Sequence, residues 1–194
     1  MKQVIQLLGI KELFLYTSLS FLFSLIGIFL PFHSPSDDPL ASATIVHITG
    51  HIIWGMMAAF VTLSIRYIFL GGSFGLLLDG DHLVEFFGID VVTRMGHSIP
   101  FAILATFCMI YLFSKRDYIL GAISFGAVFS HMSFDTLRGS GTFPIFTPFS
   151  EYVTSFNEID WIYLQLIAVG GILIAKLILK KQKKSISDND IKFK

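Results

Sequence analysis

Residues 13–32 read LFLYTSLSFLFSLIGIFLPF. No charge interrupts them, and roughly 20 mostly apolar residues are what a helix needs to cross a bilayer. Working outward, 45–65 has the same character, broken only by His47, Thr49 and His51, and so have 99–113, 118–137 and 159–179. Residues 67–78 are apolar but short and glycine-rich (Gly71, Gly72, Gly75), which suits a half-span or a helix that finishes inside the protein. The pattern predicts an all-α fold: a polytopic transmembrane helix bundle of five full spans plus one short glycine-rich span.

Composition points the same way. The 194 residues are 54% hydrophobic and 14% charged, against about 25% charged in a soluble domain, and the mean hydropathy is +0.72. Net charge is formally zero and no basic face stands outside the tail, so nucleic acid is excluded as a partner. Cys108 is the single cysteine; it makes no internal disulfide or Cys/His finger and reads as core or lipid-facing filler. Residues 1–180 are expected to form one transmembrane domain, and 181–194 a disordered basic tail that can touch anionic lipid.

Lysine and arginine set the orientation of a membrane chain. With a cytoplasmic N-terminus, Lys2, Lys11, Arg66, Lys115, Arg116, Lys176, Lys180, Lys181, Lys183, Lys184, Lys192 and Lys194 fall inside, and Arg94 and Arg138 fall outside. This expectation puts both termini in the cytoplasm of a multi-pass cell-membrane protein, and it requires the short segment to cross. Ala41-Ser42-Ala43 has the small-x-small form of a cleavage site, but Asp37 and Asp38 separate it from a long apolar run, so a retained anchor is expected.

Ionisable groups against a bilayer are costly and tend to mark function. Here they fall in four pieces: His51; Asp79-Gly80-Asp81-His82; His97; and His131 with Asp135. Under the topology above, all lie towards the extracytoplasmic side. The inner halves of the spans hold no acidic or histidine side chain besides Glu12 and Asp117. His131 and Asp135, spaced i and i+4, share a helix face and can ligate one ion, or the aspartate can orient the imidazole. Gly80 is expected to let the backbone turn so that Asp79 and Asp81 converge. Nitrogen and carboxylate donors without thiolate suit zinc, manganese or iron. Seven donors exceed one catalytic zinc site, which usually takes three, and so suggest one or two ions. His47, one turn before His51, is read as a supporting or structural group, and His33, in a Pro/Ser/Asp loop, as a surface residue. Arg94 and Arg138 adjoin the clusters, and arginine grips phosphate bidentately.

The residues that carry this pattern are Gly50-His51, Leu76-Leu77-Leu78-Asp79-Gly80-Asp81-His82, Thr93-Arg94-Met95-Gly96-His97-Ser98, and Gly126 ahead of His131 and Asp135, with Gly139, Gly141 and Pro144 after them. In order and spacing they resemble a family of small bacterial and archaeal membrane-bound metal-dependent hydrolases, distantly akin to zinc-dependent phospholipase C. Three departures stand out: Leu78 replaces a proline, Thr93 replaces a histidine, and the interval from Arg94 to His97 is one residue shorter. The resemblance implies hydrolase activity and leaves the substrate open.

The sequence therefore leads to an expectation of an integral-membrane metal-dependent hydrolase. Its substrate would be a phosphoester of a lipid or lipid-linked molecule at the extracytoplasmic face. The expected ligands of a divalent metal, zinc foremost, are His51, Asp79, Asp81, His82, His97, His131 and Asp135. Catalytic roles fall to Asp79, Arg94 and Arg138, with Glu85 or Glu151 placed as a proton carrier by position alone. The alternatives are a metal-independent acid-phosphatase-like lipid phosphatase with a histidine nucleophile, a metal-ion transporter, and a non-enzymatic membrane factor. The first lacks its expected arginine, since Phe125 stands six residues before His131.

Overall fold

A computed structural model describes residues 9–30, 44–87, 94–113 and 116–192. His33 and Thr93 lie outside the described residues, as does the side chain of Glu85. In chain order, α1 is Ile10–Leu25, continued by a 3-10 turn, Ile26–Phe29. Next come α2, Ile45–Ala59, and α3, Ile65–Leu77, which passes into a 3-10 stretch, Leu78–Phe87. α4 is Ile99–Cys108, ending in a π-helical turn, Met109–Phe113. α5 is Tyr118–Leu137, and α6 is Trp161–Lys192. Between the last two, β1 (Thr142–Phe143) and β2 (Thr154–Ser155) form a short antiparallel hairpin with Thr142 opposite Ser155.

Side-chain caps fix where these helices begin. Thr44 accepts the His47 N–H at 3.2 Å, Ser98 the Phe101 N–H at 3.3 Å, and Asp117 the Leu120 N–H at 3.0 Å, each satisfying one of the orphan donors of a helix start. Asn157 and Asp160 form a reciprocal capping box ahead of α6. The start of α4 at Ile99 leaves His97 just outside the helix, free to face its neighbours.

Packing centres on α5, which buries 15 of its 20 residues. Its small residues admit the other helices closely: a Cβ at Gly126 would meet the Ala168 carbonyl of α6 at 3.2 Å, and one at Gly121 would meet Ile110 at 2.5 Å. Between α2 and α3 a glycine seam does the same. A Cβ at Gly72 would meet the Ile52 carbonyl at 2.9 Å, and one at Gly75 the His51 carbonyl at 2.8 Å. Small residues of this kind let membrane helices approach backbone to backbone.

Three described helical stretches are long and apolar enough to cross a membrane: Ile10–Phe29, Ile45–Thr62 and Glu158–Gln182. Only 28%, 28% and 17% of their spanning windows are buried inside the protein, so most of each faces outward, with Phe14, Phe29, Ile45 and Leu166 among the exposed apolar residues. The sequence reading counts five full spans. Length and apolarity single out three, because Ile99–Leu112 is shorter and α5 carries Ser130, His131, Ser133, Asp135 and Thr136, all buried. α3, with 13 residues, rises about 20 Å, short of a hydrocarbon core of about 30 Å; its end lies within the bundle. The helix α6 runs on through 181–192, where the sequence reading expects a disordered tail. No proline or glycine follows Gly171 to stop it.

At the end of the bundle where α5 begins, the polar groups pair with one another. Arg66 donates to Glu12 at 2.9 Å and approaches Asp117 at 3.5 Å, and the Tyr67 hydroxyl donates to Asp117 at 2.8 Å. Lys176 donates to the Val61 carbonyl at 2.8 Å, closing the end of α2.

Candidate metal centre

The imidazoles and carboxylates gather at the opposite end. α2 supplies His47 and His51, one turn apart. The 3-10 stretch after α3 supplies Asp79, Asp81 and His82. The segment before α4 supplies Arg94, Gly96 and His97, and the last turns of α5 supply His131 and Asp135. Asp135 is the hub: its Oδ1 lies 3.3 Å from His51 Nε2, and its Oδ2 3.5 Å from His131 Nε2 and 3.8 Å from both His97 Nε2 and an Arg94 nitrogen. Asp79 Oδ1 lies 3.2 Å from His131 Nε2 and 4.0 Å from His82 Nε2, and Asp81 Oδ1 lies 3.7 Å from His82 Nε2. Four donor trios result: His47–His51–Asp135, His51–Asp79–His131, His97–His131–Asp135 and Asp79–Asp81–His82.

Backbone groups aim the donors. His131 Nδ1 donates to the Gly75 carbonyl at 2.6 Å, which leaves Nε2 turned to the carboxylates; such an outer hydrogen bond fixes tautomer and orientation of a ligating histidine. Asp81 Oδ2 accepts the Gly96 N–H at 2.9 Å and meets His97 Nδ1 at 3.1 Å. A Cβ at Gly96 would sit 2.9 Å from that same oxygen, so only glycine fits beneath the carboxylate. A Cβ at Gly50 would overlap the ring of Phe134, which packs on His51 at a centroid distance of 5.0 Å. Gly80 differs from expectation. Its backbone is not left-handed; a Cβ there would meet Thr17 of α1 at 3.1 Å, so it serves close packing, not a turn.

The electrostatics call for a cation. Asp81 and Asp135 are buried and Asp79 half-buried, while the only lysine or arginine in contact among the described residues is Arg94. Three carboxylates thus share one arginine and five imidazoles, and a carboxylate in a desolvated site is costly unless positive charge is paired with it. Burial alone would raise the Asp79 carboxyl; the nearby His131 outweighs it and holds Asp79 below the ordinary carboxylate range. Burial likewise pushes Asp81 up, and His82 and His97 more than reverse the shift. Among the described residues, eight buried side-chain atoms lack a hydrogen-bond partner, and five of them belong to this cluster: His51 Nδ1, Asp81 Oδ1, His97 Nε2, His131 Nε2 and Asp135 Oδ1. The spacing fits an ion as well. Donors bound tetrahedrally at about 2.1 Å stand about 3.4 Å apart, close to the 3.2, 3.3 and 3.5 Å separations of the nearest pairs.

All seven donors read from the sequence come together here, and so does an eighth. His47 Nε2 lies 2.9 Å from His51 Nε2 and 3.8 Å from Asp79 Oδ2; its i, i+4 spacing to His51 was the available signal. The two arginines part company. Arg94 takes a left-handed backbone, φ 59°, which brings its guanidinium to Asp135, to the Ser140 carbonyl at 3.2 Å and over the Phe143 ring at 5.5 Å. Arg138 is exposed, and among the described residues its side chain makes no hydrogen bond or ion pair. The helix ends at Leu137 and Gly139 turns the chain at φ 90°, so Arg138 does not continue the face of Asp135. Glu151 is exposed on the hairpin loop. Phe143, which the sequence did not flag, is buried and stacks on His97 at a centroid distance of 5.7 Å.

A family model described as YdjM inner membrane protein matches residues 43–187, a stretch that contains the whole cluster. No curated protein and no solved structure matches the chain.

Proposed function

The chain belongs to the YdjM inner membrane protein family, and on that premise we propose that it is an integral-membrane metal-dependent hydrolase acting on a phosphoester of a lipid or lipid-linked molecule. The observation that carries this reading is the convergence of eight imidazole and carboxylate side chains, several buried with atoms unpartnered, around one arginine. His51, Asp79, Asp81, His82, His97, His131 and Asp135, with His47 beside them, would hold one or two divalent ions, zinc foremost and manganese or iron by the same donor chemistry. A bound ion supplies an acidified water and positive charge opposite the phosphoryl oxygens.

The chain's own groups supply the rest. Arg94 is fixed by Ser140 and Phe143 with its fork at the edge of the cluster, where it grips a phosphate oxygen as planar guanidinium does. Asp79, half-exposed at the mouth, is placed to take a proton from the attacking water. Gly75 and Gly96 keep His131 and Asp81 from swinging out. The basic-residue bias supports a chain of five full spans and one short crossing at 67–78, with both termini cytoplasmic and the site on the extracytoplasmic side.

Two observations weigh against the rivals. A histidine nucleophile must reach substrate, yet His131 is fully buried with Nε2 flanked by two carboxylates. A transport path needs ligands along its length, yet among the described residues the acids at the far end, Glu12 and Asp117, are paired with Arg66.

Elemental analysis of the purified protein, coupled to hydrolysis assays on phospholipids and polyprenyl phosphates, tests the reading. One or two divalent ions per chain and activity abolished by chelator and restored by zinc are expected. Hydrolysis that survives chelation would replace it with the metal-independent phosphatase. Bound metal with no hydrolysis of any phosphoester, or metal flux in proteoliposomes, would end it too.

A further inference from the structure

The hairpin beside the centre has two unlike faces. Its base is clamped: Phe156 donates its N–H to the Gly141 carbonyl at 2.7 Å, Ile99 to the Ile145 carbonyl at 2.9 Å, and Phe143 is buried against His97 and Arg94. Its tip is apolar and bare. Phe146, Phe149, Tyr152 and Val153 are 50%, 85%, 67% and 44% exposed, and across 145–153 Glu151 is the single charge. Loop tips in water are ordinarily polar; four neighbouring apolar side chains held open on a fixed base mark a surface that something apolar covers.

The fold says what that is. The tip leads into the exposed apolar stretch that opens the span Glu158–Gln182, where Ile159, in the turn before α6, and Tyr163, in its first turn, are 60% and 63% exposed, and this stretch is one of the three fit to cross a membrane. Both tryptophans lie at the same level. Trp54 and Trp161 have ring centroids 6.1 Å apart and are bridged by Ser133, which accepts from Trp54 Nε1 at 3.2 Å and donates to the Trp161 carbonyl at 2.7 Å. Tryptophan and tyrosine gather at the headgroup level of membrane proteins, and Ser133 is two residues from Asp135.

We propose that residues 145–153 form a flap embedded in the headgroup–acyl boundary of the leaflet on the metal centre's side, with a lipid surface as its partner. The apolar tip faces the bilayer while the base of the hairpin, through Phe143, rests on His97 and Arg94. The centre therefore opens at the headgroup plane, and an amphiphile reaches it without leaving the leaflet. The inference depends on the membrane placement of the family and not on hydrolase chemistry.

In a Cys108→Ser background, Phe149→Cys and Tyr152→Cys are each labelled with an environment-sensitive fluorophore, and Ser155→Cys, on β2, serves as the reference. The full-length proteins are reconstituted into phosphatidylcholine vesicles with and without shallow nitroxide lipids. A segment seated about 5–10 Å into the boundary should lose at least about half its emission to the nitroxide at 149 and 152, with a blue-shifted maximum, while 155 changes little. Unquenched tip labels in lipid would overturn the proposal and leave the patch to a protein partner. Equal quenching at all three positions would overturn it too, because the tip would not then dip below the base. Metal content measured on the same samples separates this result from the fate of the hydrolase reading.

Discussion

Replacing Asp135 with asparagine keeps the shape of the side chain and removes its charge. Its two oxygens face His51 at 3.3 Å and His131 at 3.5 Å, and it belongs to two of the four donor trios. Removing a mere outer partner of a metal ligand costs about 10- to 100-fold in affinity; a charged donor shared by two trios should cost at least about 100-fold. Ligand linkage turns that into stability. At zinc about 1,000 times the wild-type Kd the native state gains about 4.1 kcal/mol, whereas the variant, then at about 10 times its own Kd, gains about 1.4 kcal/mol. Zinc-induced stabilisation should therefore shrink by about 2.7 kcal/mol. Under chelator that contribution is absent from both proteins, so the two should unfold closer together than they do with zinc. Unfolding in detergent, followed through Trp54 and Trp161 with and without zinc, measures both, and elemental analysis gives the ion count. Wild-type unfolding indifferent to zinc and chelator, or an Asp135→Asn protein with undiminished zinc affinity, would refute the reasoning. A variant equally destabilised with and without zinc would show a structural hydrogen bond instead of a ligand.

Arg94→Lys keeps charge and loses the planar fork, so turnover of a lipid phosphoester should fall at least about tenfold, equivalent to 1.4 kcal/mol, with metal content unchanged. Arg138→Lys, at an exposed position, should leave turnover within about twofold; the reverse order of effects would return the substrate-binding role to Arg138. Gly75→Ala should cost about 1–3 kcal/mol by overpacking, since the new methyl meets the His51 carbonyl at 2.8 Å, and an unchanged unfolding midpoint under chelator would show that the seam yields. Ser155→Cys in the Cys108→Ser background should react with an impermeant thiol reagent in intact cells; labelling only after lysis would invert the proposed sidedness.

Much of the site was legible in the sequence because the background is so apolar. With 14% charged residues, every imidazole and carboxylate in 45–137 is conspicuous, and the cost of ionisable groups in lipid makes each one informative. The all-α class was legible for the same reason: a segment such as 13–32, with no charge, has one stable way to satisfy its backbone in a membrane. The i, i+4 spacing of His131 and Asp135 placed them on one face because helix pitch is local.

What only the tertiary structure decided turns on distances that no local rule sets. His47 joins the cluster because the glycine seam draws α2 against α3. Arg94, not Arg138, meets Asp135 because α5 stops at Leu137 and because a left-handed residue turns the other arginine inward. Gly80 serves the approach of α1 to the 3-10 stretch, a contact 63 residues apart in the chain at Thr17. Phe143 covers His97 only because the hairpin folds back over the end of the bundle. In each case the sequence determined which groups could do chemistry, through their scarcity in an apolar chain. Helix ends and backbone-to-backbone packing determined which of them meet, because those depend on the phase and closeness of elements far apart in sequence.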